Sequence, residues 1–131
     1  MSHADLFRRH LANAGRSAAD QDLSVYAPNV VAEFPYAPDG HTRRLEGPEA
    51  VGRFLANIGN FALGFTLGEP TFVEAGDTVV VEYHGDATFK ETGKAYAQDY
   101  IVVAHVEGGQ LVSIREYYDP IRVLRAMGEL D

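Results

Sequence analysis

The chain contains no cysteine, which excludes disulfide scaffolding, thiolate zinc sites and cysteine nucleophiles. Positive charge is scarce: 11 lysines and arginines stand against 19 aspartates and glutamates, a formal net charge of -8. That balance argues against a nucleic-acid groove and against an anionic membrane surface, so neither partner is expected. Arg43-Arg44 is the one basic pair near the middle of the chain. No uninterrupted apolar run approaches the roughly 18 residues that span a bilayer. The opening Met-Ser-His-Ala-Asp has no basic segment followed by an apolar run. No signal peptide is therefore expected, and a cytoplasmic location is. There is no glycine-rich phosphate loop, and no spacing offers the three or four convergent ligands of a metal site. Neither a metal nor any other cofactor is expected.

What is present is a chain of 131 residues, 46% hydrophobic and 23% charged. That suits one soluble globular domain, residues 1–131, with enough length for a real core. Leu6, Phe7, His10, Leu11 and Ala14 make one apolar stripe on a first helix that Gly15 ends. Ser17 is placed to cap a short second helix running to about Tyr26, which Pro28-Asn29 breaks. Val30 to Tyr36 predicts the first strand. Gly47-Pro48-Glu49 opens a helix with proline at its first position and buries Val51, Phe54, Leu55 and Ile58.

From Phe65 the pattern turns to β: residues 65–74, 78–89, 95–106 and 111–118 predict strands. Short turns at Gly76-Asp77, Glu91-Thr92-Gly93 and Gly108-Gly109 join them into an antiparallel meander. Asp119 caps a last helix on which Ile121, Leu124 and Met127 repeat. This order predicts an α+β domain in which a curved antiparallel sheet wraps helices around an internal pocket, a cone-like shape.

Alternation along the strands, with the turn lengths, fixes which residues share a face. A three-residue loop at Glu91–Gly93 sets Val79, Val81, Tyr83, Gly85, Ala87 and Phe89 on one apolar face, opposite Ala95, Ala97, Asp99, Ile101 and Val103. A two-residue Gly108-Gly109 turn then sets Asp99 opposite Tyr118, Ile101 opposite Glu116 and Val103 opposite Ile114. Asp99 and Glu116 become diagonal neighbours, roughly 5–8 Å apart. Two carboxyls that close on an apolar face push one pKa upward, leaving one acid and one base for proton transfer. A one-residue slip would carry Glu116 to the outside. The bland alternative for an inward carboxyl is a bond to a backbone amide or to Tyr83 or Tyr118.

His10, on the apolar stripe, reads either as a satisfied core histidine or as a site residue. His105 is expected inside near a strand end, His41 in a loop and His84 on the outer face. The outer face, with Val102, Tyr100 and Tyr117, is expected to form a homodimer.

The order of elements and the stretch Val112–Gly128, V-S-I-R-E-Y-Y-D-P-I-R-V-L-R-A-M-G, resemble the SnoaL-like polyketide cyclases and the small phenazine-biosynthesis proteins. These belong to the ketosteroid-isomerase superfamily, with the fold of nuclear transport factor two, and the resemblance covers the whole domain. By that resemblance Asp99, in Q-D-Y-I, stands where ketosteroid isomerases keep a protonated aspartate in the oxyanion hole. His10 stands at their first-helix tyrosine. Their general base corresponds to Phe34 before Pro35, which argues against steroid isomerisation by the usual route. R-E-Y at Arg115–Tyr117 resembles the R-E-F of phenazine-type proteins, whose helix histidine corresponds to Phe54 here. Ala97 rules out the triad of epoxide hydrolases with this fold.

The resemblance and the face together imply a small cofactor-independent enzyme of isomerase, cyclase or dehydratase type, acting on a hydrophobic carbonyl compound. Asp99, Glu116 and His10 are its expected catalytic residues. Phe34, Phe54, Tyr83, Ile101, Ile114 and Tyr118 are its expected substrate-binding residues. A non-catalytic domain that binds a small apolar ligand, and an assembly module, are the alternatives.

Overall fold

The computed structural model describes residues 2–130. Helix α1 (His3–Ala12) begins in a capping box: the Ser2 hydroxyl accepts from the Asp5 amide, and the Asp5 carboxylate accepts from the Ser2 amide. Its buried stripe is Leu6, Phe7 and His10. The expected second helix is instead two 3-10 turns, Ala18–Asp20 and Leu23–Val25. Strand β1 (Tyr26–Glu33) starts four residues earlier than expected and runs through Pro28, where its pairing is irregular. A proline lacks the amide for a ladder bond, so the strand tolerates it only at such an irregularity.

A short β2 (Arg44–Glu46) precedes α2 (Pro48–Phe61). Gly52 brings α2 against Leu23, whose Cδ2 lies 2.8 Å from where a Cβ would sit. The run expected as one strand from Phe65 is two, β3 (Ala62–Leu67) and β4 (Thr71–Ala75), both antiparallel to β5 (Thr78–Phe89). Then come β6 (Ala95–Glu107), β7 (Gln110–Tyr118) and α3 (Pro120–Ala126), capped by the Asp119 carboxylate.

The seven strands form one sheet in the order β2-β1-β7-β6-β5-β3, with β4 also on β5. The sheet is mixed rather than wholly antiparallel, because β1 pairs with β7 in parallel. It curves round the helices in an α+β fold, and Phe7, Val25, Val30, Val81, Val102 and Leu111 are fully buried between the layers. At about 25 cal/mol per Å² of apolar surface, such side chains each contribute about 1.5–3 kcal/mol.

Two local features decide which face each later residue takes. At the β5–β6 hairpin the Phe89 amide donates to the Lys94 carbonyl at 3.0 Å, and the Gly93 amide donates to Phe89 O at 2.8 Å. The loop is therefore four residues, Lys90–Gly93, closed by Gly93 at φ 70°. The three-residue loop expected from the sequence is wrong by one, so Val81 pairs with Val102 and Tyr83 with Tyr100. At the next hairpin Gly108 and Gly109 both take positive φ, as a two-residue type I′ turn requires. Val106 pairs with Leu111 as expected. A bulge then makes His105 pair with Ser113, leaving Val112 as the extra residue, and every later pair is displaced by one.

No helix is long and apolar enough to cross a membrane among the described residues.

Candidate active site

A cavity of about 780 Å³ opens between the helices and the inner sheet face, within the size range of small-molecule sites. Its apolar walls are largely aromatic. Phe34 and Phe54 meet at 5.0 Å between ring centroids, and Phe89 and Tyr96 at the same distance. Tyr83 and Tyr100 stack at 4.9 Å and 19°. Gly85 makes that stack possible: a Cβ there would lie 3.2 Å from both Tyr100 Cε2 and Leu67 Cδ2. Exposed Glu91 and Glu129, with half-buried His41, also line the cavity.

Glu116 is the carboxyl in this wall. Strand β7 presents Ile114, Glu116 and Tyr118 inward after the bulge, with Glu116 opposite buried Val102. The Tyr83 hydroxyl donates to Glu116 Oε1 at 2.6 Å. Glu116 lines the cavity, and the Tyr83 bond is the one its carboxyl makes among the described residues. Burial raises the Glu116 pKa from 4.5 to about 7, against the smaller downward pull of the Tyr83 bond. The group thus holds and releases a proton near neutrality, the condition for acid–base work. The same burial, with the Glu116 charge beside it, drives the Tyr83 pKa well up, so the phenol stays a donor.

His10 lines the same cavity from α1. Its Nδ1 lies 2.6 Å from the Tyr26 hydroxyl, which itself accepts from Asn13 Nδ2 at 3.2 Å. His10 Nδ1 is the one acceptor within reach of that buried hydroxyl's hydrogen among the described residues, and the tautomer that accepts it carries the ring hydrogen on Nε2. Burial lowers the His10 pKa to about 4. A neutral Nε2–H can donate to a developing oxyanion but cannot deliver a full positive charge.

Asp99 is not in the cavity. It lies on the outer sheet face, with its side chain 68% exposed. Its Oδ1 is 2.8 Å from His84 Nδ1, and its Oδ2 accepts from Arg122 at 3.0 Å. Those two partners hold its pKa below the usual carboxylate value, first His84 and then Arg122. The expected pair with Glu116 does not exist, because the four-residue loop puts the even-numbered residues of β6 inside. Ile101 is outside for the same reason and 45% exposed. His105 is also on the outer face, and Val102 and Tyr100 are on the inner one. Ile114 faces inward but belongs to the core beside the cavity rather than its lining. Phe34, Phe54, Tyr83 and Tyr118 line the cavity as expected.

In place of Asp99 the cavity wall has Tyr96 and Tyr100, whose hydroxyls are 3.3 Å apart, held by fully buried Gln98. Gln98 donates to Tyr96 Oη at 3.1 Å and to the Asp119 carbonyl at 2.8 Å, and accepts from the Asp119 amide at 3.1 Å. The same side chain thus anchors the start of α3 and the tyrosine pair. A sequence signal for this face existed. The odd positions of β6 include Asp99 and His105, whereas the even ones are uncharged throughout.

Residues 7–114 match the family model of the SnoaL-like domain. The chain belongs to the SnoaL-like family. Among its relatives is YesE of Bacillus subtilis (strain 168), 35% identical over 76% of this chain and 69% of that one. A PhzA/B-like protein of Pseudomonas aeruginosa is 34% identical over 82% and 77% of the two chains. A crystal structure from Bacillus subtilis, provisionally described as an isomerase, superposes with a TM-score of 0.85 at 29% identity, covering 96% of this chain and 92% of that one. Structures described as NTF2-like share the fold at under a quarter identity and speak to the fold alone. SnoaL-like and ketosteroid-isomerase-like architecture is thus common ground, while the chemistry rests on this chain's own cavity.

Proposed function

We propose that this SnoaL-like chain is a cofactor-independent enzyme that moves a proton on a hydrophobic carbonyl compound, in an isomerisation, an aldol-type cyclisation or a dehydration. The observation that carries the reading is Glu116: a carboxyl lining an apolar cavity, its pKa raised to about 7, with one oxygen held by Tyr83. Glu116 takes a proton from the carbon beside the carbonyl, and the C–H electron pair moves into an enolate. The His10 Nε2–H, or a hydroxyl of the Tyr96–Tyr100 pair, donates to the enolate oxygen. Glu116 then returns the proton at the same or another carbon, or the enolate carbon attacks a second carbonyl. With Asp99 outside, the neutral donors of His10 and the tyrosines take the part that a protonated aspartate was expected to play.

The test is α-hydrogen exchange of an apolar ketone such as β-tetralone in D₂O, followed by mass spectrometry. The intact protein accelerates deuterium uptake, and Glu116→Gln removes about 10²-fold or more of that acceleration. Equal exchange with both proteins overturns the proposal.

The second reading, a binding domain, is favoured by the absence of a second carboxyl beside Glu116 among the described residues. It is the outcome if ligands bind and no exchange occurs. We also propose a homodimer through the outer sheet face, where exposed Ile101 lies beside Val103 and Tyr117. A purely monomeric sedimentation profile overturns that arrangement.

A further inference from the structure

The cavity is lined without a single lysine or arginine among the described residues. Its ionisable lining outside the tyrosines is Glu116 in the wall, Asp39, Glu91 and Glu129 at exposed positions, and the histidines His10 and His41. Two cations act on its tyrosines from outside, Arg43 on Tyr118 and Arg122 on Tyr96. Both are already matched: Arg43 lies 3.5 Å from Asp39, and Arg122 lies 3.0 Å from Asp99 and 3.5 Å from Asp119. His41 faces Glu129 at 3.5 Å. His10 gives its cavity a neutral N–H and no charge.

Resting on the reading above for the identity of the site, we infer that its substrate carries no anionic group: the cavity takes an uncharged apolar carbonyl compound and rejects the matching carboxylate. An entering carboxylate sheds its water and meets no cation to replace it. It also meets the carboxyl of Glu116, which lines the cavity. Two unit charges about 6 Å apart, at an effective dielectric near 20, repel by an amount worth about a hundredfold in affinity. The escape is for Glu116 to keep its proton, which removes the base that the reaction uses. An anionic ligand therefore binds only with proton uptake, and in an unproductive form.

This places the reaction in a sequence. Whatever step supplies the substrate leaves its acid groups esterified, amidated or lost by decarboxylation. A free acid released later is a product that the cavity expels, and the same absence of cations favours its departure.

The test is calorimetric binding of three probes of one shape to the full chain at pH 8: 2-acetylnaphthalene, 2-naphthoate and 2-naphthylmethylammonium. The ketone is expected to bind at least tenfold tighter than the carboxylate. In two buffers of different ionisation enthalpy, the carboxylate is expected to bind with uptake of about one proton by the wild-type protein, a readout that needs no variant. Glu116→Gln is expected to narrow the gap between ketone and carboxylate. Naphthoate binding as tightly as the ketone without proton uptake overturns the inference. So does the ammonium probe binding tightest, which would make the cavity a cation site, and so does failure of all three to bind. The order of affinities is independent of turnover. A protein that keeps the order but shows no deuterium exchange retains the selectivity and loses only the acid–base reading; exchange with the order reversed does the opposite.

Discussion

The phenol of Tyr83 gives its hydrogen to Glu116 Oε1 at 2.6 Å, from a neighbouring but one strand of the same sheet. It is a bond between the cavity's buried carboxyl and a phenol whose own pKa burial drives well up, so it acts on Glu116 in one direction only. It stabilises the carboxylate and holds it in place.

Tyr83→Phe removes that bond and leaves the ring stack with Tyr100 in place. Hydrogen bonds to charged groups contribute about 1.5–3 kcal/mol, so the Glu116 pKa should rise by roughly one unit or more. Carbon-detected NMR titration of the Glu116 carboxyl reads this directly. The pH at which exchange activity reaches half its maximum should move up by the same amount, and an unmoved midpoint would show that the bond is not acting on the base.

Glu116 and His10 impose opposite pH slopes on stability. The Glu116 pKa is raised on folding, from 4.5 to about 7, so its unfavourable effect grows as pH rises through that window. The His10 pKa is lowered, from 6.5 to about 4, so its unfavourable effect grows as pH falls through that one. Each is at most about 3 kcal/mol. Chemical denaturation from pH 4 to 7 should therefore give a shallow profile for the wild type. Glu116→Gln should leave stability rising with pH, and His10→Gln should leave it falling with pH. Parallel profiles for both variants would contradict the assignment.

Asp99→Asn tests the corrected position of that residue. Exchange activity should stay within about twofold of wild type, because the side chain faces away from the cavity. The effect should appear on His84, whose pKa is raised first by its bond to Asp99 and then by Asp86. Proton NMR should show the His84 midpoint falling in the variant. A large loss of activity would mean that Asp99 reaches the site after all.

Gly85→Ala tests the tyrosine wall. The new methyl would press on Tyr100 and Leu67 at 3.2 Å, a tighter fit than side chains accept without shifting. Overpacking of this kind costs about 1–3 kcal/mol, readable as a lower denaturation midpoint. Binding of 2-acetylnaphthalene should weaken as Tyr100 is displaced, whereas a methyl absorbed by Leu67 alone would leave binding unchanged.

Much of the fold was legible in the residues because local chemistry agreed with the final structure. Pro48 and Glu49 at a helix start, Asp119 as a cap and the double glycine at 108–109 each admit few conformations. The limits of β5 and the start of β6 followed from alternation. The site was legible only in part, since a face depends on turn length and not on composition alone. Phe54 and Tyr83 lay on elements whose inward stripe was plain, and Phe34 came from the family resemblance. Asp99 was misplaced by one residue in the Lys90–Gly93 loop. Glu116 came out inward because a second one-residue difference, the bulge at Val112, cancelled the first. Tyr96, Gln98 and Tyr100 were missed with the same slip. The parallel pairing of β1 with β7 joins segments some 80 residues apart, and no local pattern announces it.

The bulge at Val112 has one more implication. Leu111 and Glu116 are an odd number of residues apart, yet both turn toward the interior, so the two halves of this strand keep separate parity. The hairpin tip can therefore be rebuilt, its apolar residues exchanged or its ladder shortened by the surplus position, without rotating Glu116 out of its chamber. The hairpin's packing and the cavity wall share a strand here, but each is free to drift on its own.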